Sequence, residues 1–101
     1  MNSRLEQLYQ QHRIFSDTTF GKATPYTGPL HHLKEEVEEA IESGAPEEFA
    51  DMFLLLLDAY GRRFPENTSE DLLDTTFAKL TINKKRKWGE ADENGVVRHV
   101  D

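Results

Sequence analysis

The sequence predicts an all-α domain, a small helical bundle, from two observations. Apolar residues recur at the three- and four-residue spacing of amphipathic helices in four successive segments. Residues that stop and start helices separate these segments, and the clearest case is Ser43-Gly44-Ala45-Pro46. The 101 residues suit a single domain over residues 1–101. Residues 90–101 are polar except for Val96, Val97 and Val100 and are predicted to form an extended C-terminal tail.

Composition excludes several functional classes. A net charge of −7 disfavours binding of nucleic acid through its phosphates. The chain has no cysteine, so neither a disulfide framework nor a thiolate metal site is possible. No apolar run reaches the length of a membrane span and the N-terminus does not resemble a signal peptide. We therefore expect a cytoplasmic protein with no membrane partner and no nucleic-acid partner.

Acidic residues are concentrated on the two central helices, on either side of the turn at residues 43–46. Glu36 and Glu39 border the apolar side of the first of these helices. Glu48 and Asp51 interrupt a helix that is apolar on nearly all sides, where a carboxylate is costly unless it is paired or binds a metal. A helical hairpin would bring the four acids together without matching basic residues. This pattern predicts a site for Mg²⁺, with Mn²⁺ as a substitute, while the alternative for the first helix is a solvated acidic face.

The helix boundaries follow from capping and loop-forming residues. The first helix is predicted at residues 3–14, and a loop is predicted from Phe15 to Gly28 because Ser, Thr, Gly and Pro are frequent there. Thr27 or Gly28 is expected to cap the next helix, with Pro29 in its first turn. The last long helix is predicted to end at Trp88-Gly89.

The acidic motifs resemble the signature of a known family. Glu35-Glu36-x-x-Glu39 followed by Glu48-x-x-Asp51 is similar to the pattern of the MazG-like nucleoside triphosphate pyrophosphohydrolases. The flanking motifs resemble the phage-type dATP/dGTP branch of that family, the MazZ-like proteins, and they are His32-Leu33-Lys34-Glu35-Glu36, Lys79-x-x-x-Asn83-Lys84-x-Arg86-x-Trp88-Gly89 and His99-Val100. The resemblance covers about residues 12–100. One departure is the segment between Glu39 and Glu48, which is shorter than in the general MazG pattern.

The resemblance implies a fold, an activity and a set of site residues. It implies a MazG-like helical bundle, assembled as a dimer or a dimer of dimers, and the large apolar surface of the second acidic helix independently predicts a subunit interface. The implied activity is Mg²⁺-dependent hydrolysis of a purine (d)NTP, dGTP/GTP or dATP, to the (d)NMP and pyrophosphate. The implied setting is remodelling of the nucleotide pool by a phage in the host cytoplasm. The residues carried over as catalytic are Glu35, Glu36, Glu39, Glu48 and Asp51, of which the last four are metal ligands and Glu35, or else Glu47, would act as a base.

Six residues are predicted to bind substrate: Phe20, His32, Asp58, Lys79, Asn83 and Arg86. The last three recur on one side of the final helix, where they would hold phosphate oxygens, although basic residues can also simply complement the helix dipole. Phe20 would stack on the nucleobase or else fill a gap in the core. His32 would orient Glu36 or touch substrate, or else be a structural histidine. Asp58 is expected to be an additional metal ligand or a partner for Lys79.

A second function stays open at this point. The chain can also be interpreted as a non-enzymatic acidic helical module, for example a phage inhibitor that binds a host protein. Such a module would carry its acidic residues facing outward and would need no metal. An enzyme would instead gather them into an inward-facing cluster, so the structure separates the two hypotheses.

Overall fold

A computed structural model describes residues 3–101, which form four α-helices followed by a short hairpin. The helices are α1 (Arg4–Phe20), α2 (Thr27–Ser43), α3 (Pro46–Arg63) and α4 (Ser69–Lys85). Helix α3 is central, because it packs against both α2 and α1, while α4 packs against α1. The prediction of an all-α fold is confirmed. Within the described chain, every helix is too short or too polar to cross a membrane.

Helix α1 is longer than the sequence predicts. Ser3 caps its N-terminus, because the Ser3 hydroxyl accepts a hydrogen bond from the N–H of Glu6, and the helix ends before Gly21. The predicted boundary at residue 14 is wrong, because the helix continues through the segment whose composition is typical of a loop. The reason is tertiary: Ser16 is fully buried and its hydroxyl donates a hydrogen bond to Asp58 of α3. A polar residue that favours loops in isolation is thus held in a helix by a partner 42 residues away.

Helices α2 and α3 form the predicted hairpin around a turn of two residues. Gly44 takes the left-handed conformation at φ +62°, and its N–H bonds to the carbonyl of Ala40, which ends α2. Pro46 occupies the first turn of α3, where its missing N–H costs nothing. The predicted cap of α2 at Thr27 or Gly28 is wrong, because the helix starts after Tyr26 and has no side-chain cap.

Helix α4 is tied to α1 by a buried carboxylate. Thr68 caps the helix and forms a reciprocal capping box with Asp71. The hydroxyl and the N–H of Ser69 both donate to Oε1 of Glu6, at 2.6 and 2.8 Å. Burial alone would raise the pKa of Glu6, but these hydrogen bonds and one from Gln10 lower it below its ordinary value. This contact fixes the start of α4 against the first turns of α1.

The C-terminal segment folds back as a hairpin, and this overturns the predicted end of the last helix. Helix α4 stops at Lys85, because residues beyond it are drawn into pairing with the tail. The N–H of Gly89 donates to the carbonyl of Arg98, and Trp88 and His99 form an antiparallel bridge. At the turn, Asp92 accepts hydrogen bonds from the N–H of Val96, from Arg98 and from the N–H of Asn94, which hold its pKa below the ordinary value.

A single subunit leaves much of α3 uncovered. Leu57 and Ala59 are buried, whereas Phe49, Phe53 and Leu56 are exposed, Phe49 by 57%. The sequence predicts that the apolar residues on all sides of this helix are buried. These three side chains are instead accessible in one chain, as expected if a second subunit covers them. The subunit interface itself stays a prediction.

Candidate metal centre

Three carboxylates of the α2–α3 hairpin meet at one point. Glu36 and Glu39 lie one turn apart on α2, and Glu48 lies in the first turn of α3. Because the turn between the helices is short, the start of α3 returns alongside the second half of α2. Each of the three side chains offers one oxygen, and these oxygens all lie within 4.8 Å of one another. We call these three residues the acidic cluster.

No lysine or arginine among residues 3–101 forms an ion pair with the acidic cluster. Oε2 of Glu36 and Oε2 of Glu48 are both buried and have no hydrogen-bond partner in residues 3–101. Burial raises the pKa of Glu48, and the neighbouring carboxylates of Glu39, Glu36 and Asp51 raise it further. Unpartnered buried carboxylate oxygens are costly, so the arrangement favours binding of a cation.

The chemistry of the donors fits a hard divalent cation. All three donors are carboxylate oxygens, which are the ligands that Mg²⁺ and Mn²⁺ prefer. Glu36 and Glu48 are partly buried, whereas Glu39 is exposed, so the cluster is open on one side. A closed cage would hold a structural ion, but an open site leaves coordination positions for substrate and water. The convergence of these carboxylates, two of which are partly buried, favours the enzyme hypothesis over the acidic binding module.

Four other predicted residues lie on the same two helices as the acidic cluster. Nε2 of His32 lies 3.2 Å from Oε1 of Glu36, so this histidine contacts the cluster as the spacing predicts. Asp51, one turn after Glu48, is exposed and lies outside the group of three, although its charge acts on Glu48. Glu35 is exposed on α2, and Glu47 is exposed on α3. The role of Asp51 as a fourth metal ligand stays a prediction.

A pocket of about 400 Å³ adjoins the acidic cluster. Glu36 of the cluster lines this pocket, and so do His32 and Asp51. Its apolar wall consists of Phe15, Phe20, Pro29, Leu54 and Leu55. We call it the aromatic pocket. Phe20 lies at the end of α1, not in a loop as predicted, but it does line this pocket, where its ring meets Phe15 edge-on. The volume and the apolar walls are those of a site for a small organic molecule.

Arg62 lines the aromatic pocket, and the sequence interpretation missed it. Its side chain is 7% exposed and donates to Asp58 Oδ1 at 2.9 Å and to the Ser16 hydroxyl at 2.7 Å. Nη1 donates to the carbonyls of Gly21 and Thr24, at 2.9 and 3.0 Å, which fastens the α1–α2 loop to α3. In the sequence, Arg62 is explained simply as a cation in the last turn of a helix, where it complements the helix dipole. The four-residue spacing from Asp58 was the signal that would have paired the two.

The predicted phosphate-binding residues lie elsewhere in the single chain. Lys79, Asn83 and Arg86 belong to the second half of α4 and its end, and none of them lines the aromatic pocket. Arg86 follows the last helical residue, so the three do not continue one helical stripe as predicted. The expected partnership of Asp58 with Lys79 is wrong, because Arg62 holds Asp58 instead. Their role in phosphate binding stays a prediction. To reach a phosphate bound at the acidic cluster, these residues would have to come from another subunit.

Comparison with known sequences supports the family resemblance. A family model described as dATP/dGTP pyrophosphohydrolase matches residues 8–101. The chain is 38% identical over 95 residues to the Eaa protein of Salmonella phage P22, a match that covers 94% of this chain and 29% of that protein. It is 37% identical over 76 residues to the dATP/dGTP diphosphohydrolase of cyanophage S-2L, covering 72% of this chain and 67% of that relative. The chain thus spans under a third of the Eaa protein.

A solved structure extends the comparison to the fold. The MazG-like pyrophosphohydrolase of cyanophage S-2L, bound to dGDP and three catalytic Mn²⁺ ions per active site, matches with a TM-score of 0.77. The two are 27% identical, and the match covers 100% of this chain and 97% of the other. The predicted MazG-like fold is therefore confirmed. Since the family model matches nearly the whole sequence, this chain belongs to the dATP/dGTP pyrophosphohydrolase family.

Proposed function

We propose that this protein hydrolyses a purine nucleoside triphosphate, dGTP/GTP or dATP, to the nucleoside monophosphate and pyrophosphate with Mg²⁺ or Mn²⁺. The observation that carries the proposal is the acidic cluster, whose oxygens converge within 4.8 Å beside the aromatic pocket. The cyanophage structure bound to dGDP and Mn²⁺ supports both the nucleotide and the metal. The similarity to the dATP/dGTP diphosphohydrolase of cyanophage S-2L supports a role in remodelling a phage nucleotide pool.

Each residue of the site has a proposed task. Glu36, Glu39, Glu48 and Asp51 would hold the cations, and His32 would keep Glu36 oriented through its contact at 3.2 Å. When bound, the cations would neutralise charge on the phosphate oxygens and acidify a water molecule. The wall of the aromatic pocket, including Phe20, would cover the faces of the purine and exclude water.

The reaction is a hydrolytic displacement at phosphorus. A water oxygen forms a bond to the α-phosphorus, and the bond from this phosphorus to the oxygen that bridges it to the β-phosphorus breaks. The proton of the water passes to a base, for which Glu35 is the candidate, and pyrophosphate leaves with the bonding electron pair. We further propose that Lys79, Asn83 and Arg86 of the partner subunit in a homodimer or tetramer bind phosphate oxygens, since one chain does not bring them to the pocket.

The decisive experiment is pyrophosphate release from a panel of dNTPs and NTPs with Mg²⁺ or Mn²⁺, compared between wild type and Glu48→Gln. Glu48 belongs to the acidic cluster, whereas Glu38 is exposed on α2 and lies outside it, so Glu38→Gln is the matched control. We expect metal-dependent release from a purine nucleotide, lost in Glu48→Gln and retained in Glu38→Gln. Absence of release from every nucleotide by a folded wild-type protein would contradict the proposal and favour the acidic binding module.

A further inference from the structure

Asp58 is a buried carboxylate of which only one oxygen is engaged. It lines the aromatic pocket and its side chain is 9% exposed. Oδ1 accepts hydrogen bonds from the Ser16 hydroxyl and from Arg62 Nε, both at 2.9 Å. No residue in the described range 3–101 donates to Oδ2. Ser16 and Arg62 therefore fix the orientation of the carboxylate and leave its second oxygen available as an acceptor for a ligand.

The position of Asp58 on α3 suits contact with the base of a nucleotide whose phosphates lie at the acidic cluster. Asp51 and Asp58 are seven residues apart, which places them on the same side of α3 and about 10 Å apart along its axis. Both line the aromatic pocket, and Leu55 lies between them. A nucleotide held by its phosphates beside Asp51 would therefore extend its base along this wall towards Asp58.

The free acceptor oxygen, Oδ2 of Asp58, would distinguish guanine from adenine. The Watson–Crick edge of guanine presents two adjacent donors, N1–H and the 2-amino group, whereas N1 of adenine is an acceptor. We infer that Asp58 accepts hydrogen bonds from N1–H and the 2-amino group of guanine, and thereby makes dGTP the preferred substrate over dATP. This inference rests on the proposed function. With adenine, Oδ2 of Asp58 would face another lone pair in a buried pocket and remain unpartnered, which is the basis of strong rejection.

The first test uses the unmodified protein and three substrates. dITP keeps N1–H but lacks the 2-amino group, so it isolates one of the two donors. We expect kcat/KM for dGTP and for dITP to exceed that for dATP by at least about tenfold, the effect of one hydrogen bond to a charged group. Equal kcat/KM for dITP and dATP would overturn the inference and leave the proposed function intact. Absence of hydrolysis with all three would overturn both.

The second test changes the acceptor into a group that suits adenine. The amide nitrogen of Asp58→Asn can donate to N1 of adenine, while its oxygen still accepts from Ser16 and Arg62. We expect the ratio of kcat/KM for dGTP to that for dATP to fall by at least about tenfold. Asp74→Asn, at an exposed position of α4, is the matched control and should leave the ratio unchanged. An unchanged ratio in folded Asp58→Asn would overturn the inference, and if this variant does not fold, the dITP comparison decides.

Discussion

Replacing Arg62 by alanine should strongly destabilise this fold. The substitution removes the cation that is paired with Asp58, and both side chains are less than 10% exposed. It also removes the donors that hold the carbonyls of Gly21 and Thr24 and the hydroxyl of Ser16. The carboxylate of Asp58 would then be buried without a cation, and the α1–α2 loop would lose its attachment to α3.

The size of the effect follows from burial. Removing one partner of a buried ion pair costs about 3–5 kcal/mol, because the remaining charge is left uncompensated. We therefore expect Arg62→Ala to lower the free energy of unfolding by about 4 kcal/mol, a large part of the roughly 5–15 kcal/mol typical of a domain. The adjacent Arg63 provides the matched control. It is exposed and its guanidinium lies 4.6 Å from the ring centroid of Phe64, so Arg63→Ala should cost only about 0.5–1 kcal/mol.

The measurement is urea unfolding followed by circular dichroism, with all variants at one protein concentration because a subunit interface is expected. A double variant, Arg62→Ala with Asp58→Ala, should recover part of the lost stability, since the uncompensated charge is then absent. The reasoning would be refuted if Arg62→Ala and Arg63→Ala agreed within about 1 kcal/mol, a difference too small for a buried pair.

Two further predictions concern carboxylates. Burial and the neighbouring acids raise the pKa of Glu48 in the folded protein. The free energy of unfolding therefore falls as pH rises from the unfolded-state pKa of Glu48 to its folded-state pKa, because ionised Glu48 is less favourable in the folded protein. Glu48→Gln should therefore raise the metal-free Tm at pH 7 and abolish the increase in Tm that Mn²⁺ gives wild type; an undiminished response to Mn²⁺ would contradict this. The pKa of Glu6 is lowered, so its stabilisation is present above the ordinary pKa and disappears as pH falls through the folded value. Glu6→Gln should cost about 1–3 kcal/mol in urea unfolding at pH 7 and progressively less in acid, whereas a Glu66→Gln control at an exposed position should change little; a cost independent of pH would argue against the bonds to Ser69.

Local sequence features were sufficient for the hairpin that carries the acidic cluster. Gly44 and Pro46 determine where α2 ends and α3 begins, because one accepts a left-handed conformation and the other a helical first turn. With the turn fixed, the helical period alone brings Glu36 and Glu39 opposite Glu48. The boundary of α1 was not predictable in this way, because the partners that hold Ser16 in a helix come from α3.

The sequence by itself determined the all-α class, the turn between the central helices and the acidic residues that converge there. These depend on interactions within a few residues, or on periodicity along one helix. Only the tertiary structure decided that Arg62, and not Lys79, is the partner of Asp58, and that the aromatic pocket lies beside the acidic cluster. The physical reason is that such contacts join α1, the α1–α2 loop and α3, and their energies depend on burial, which the order of residues does not reveal.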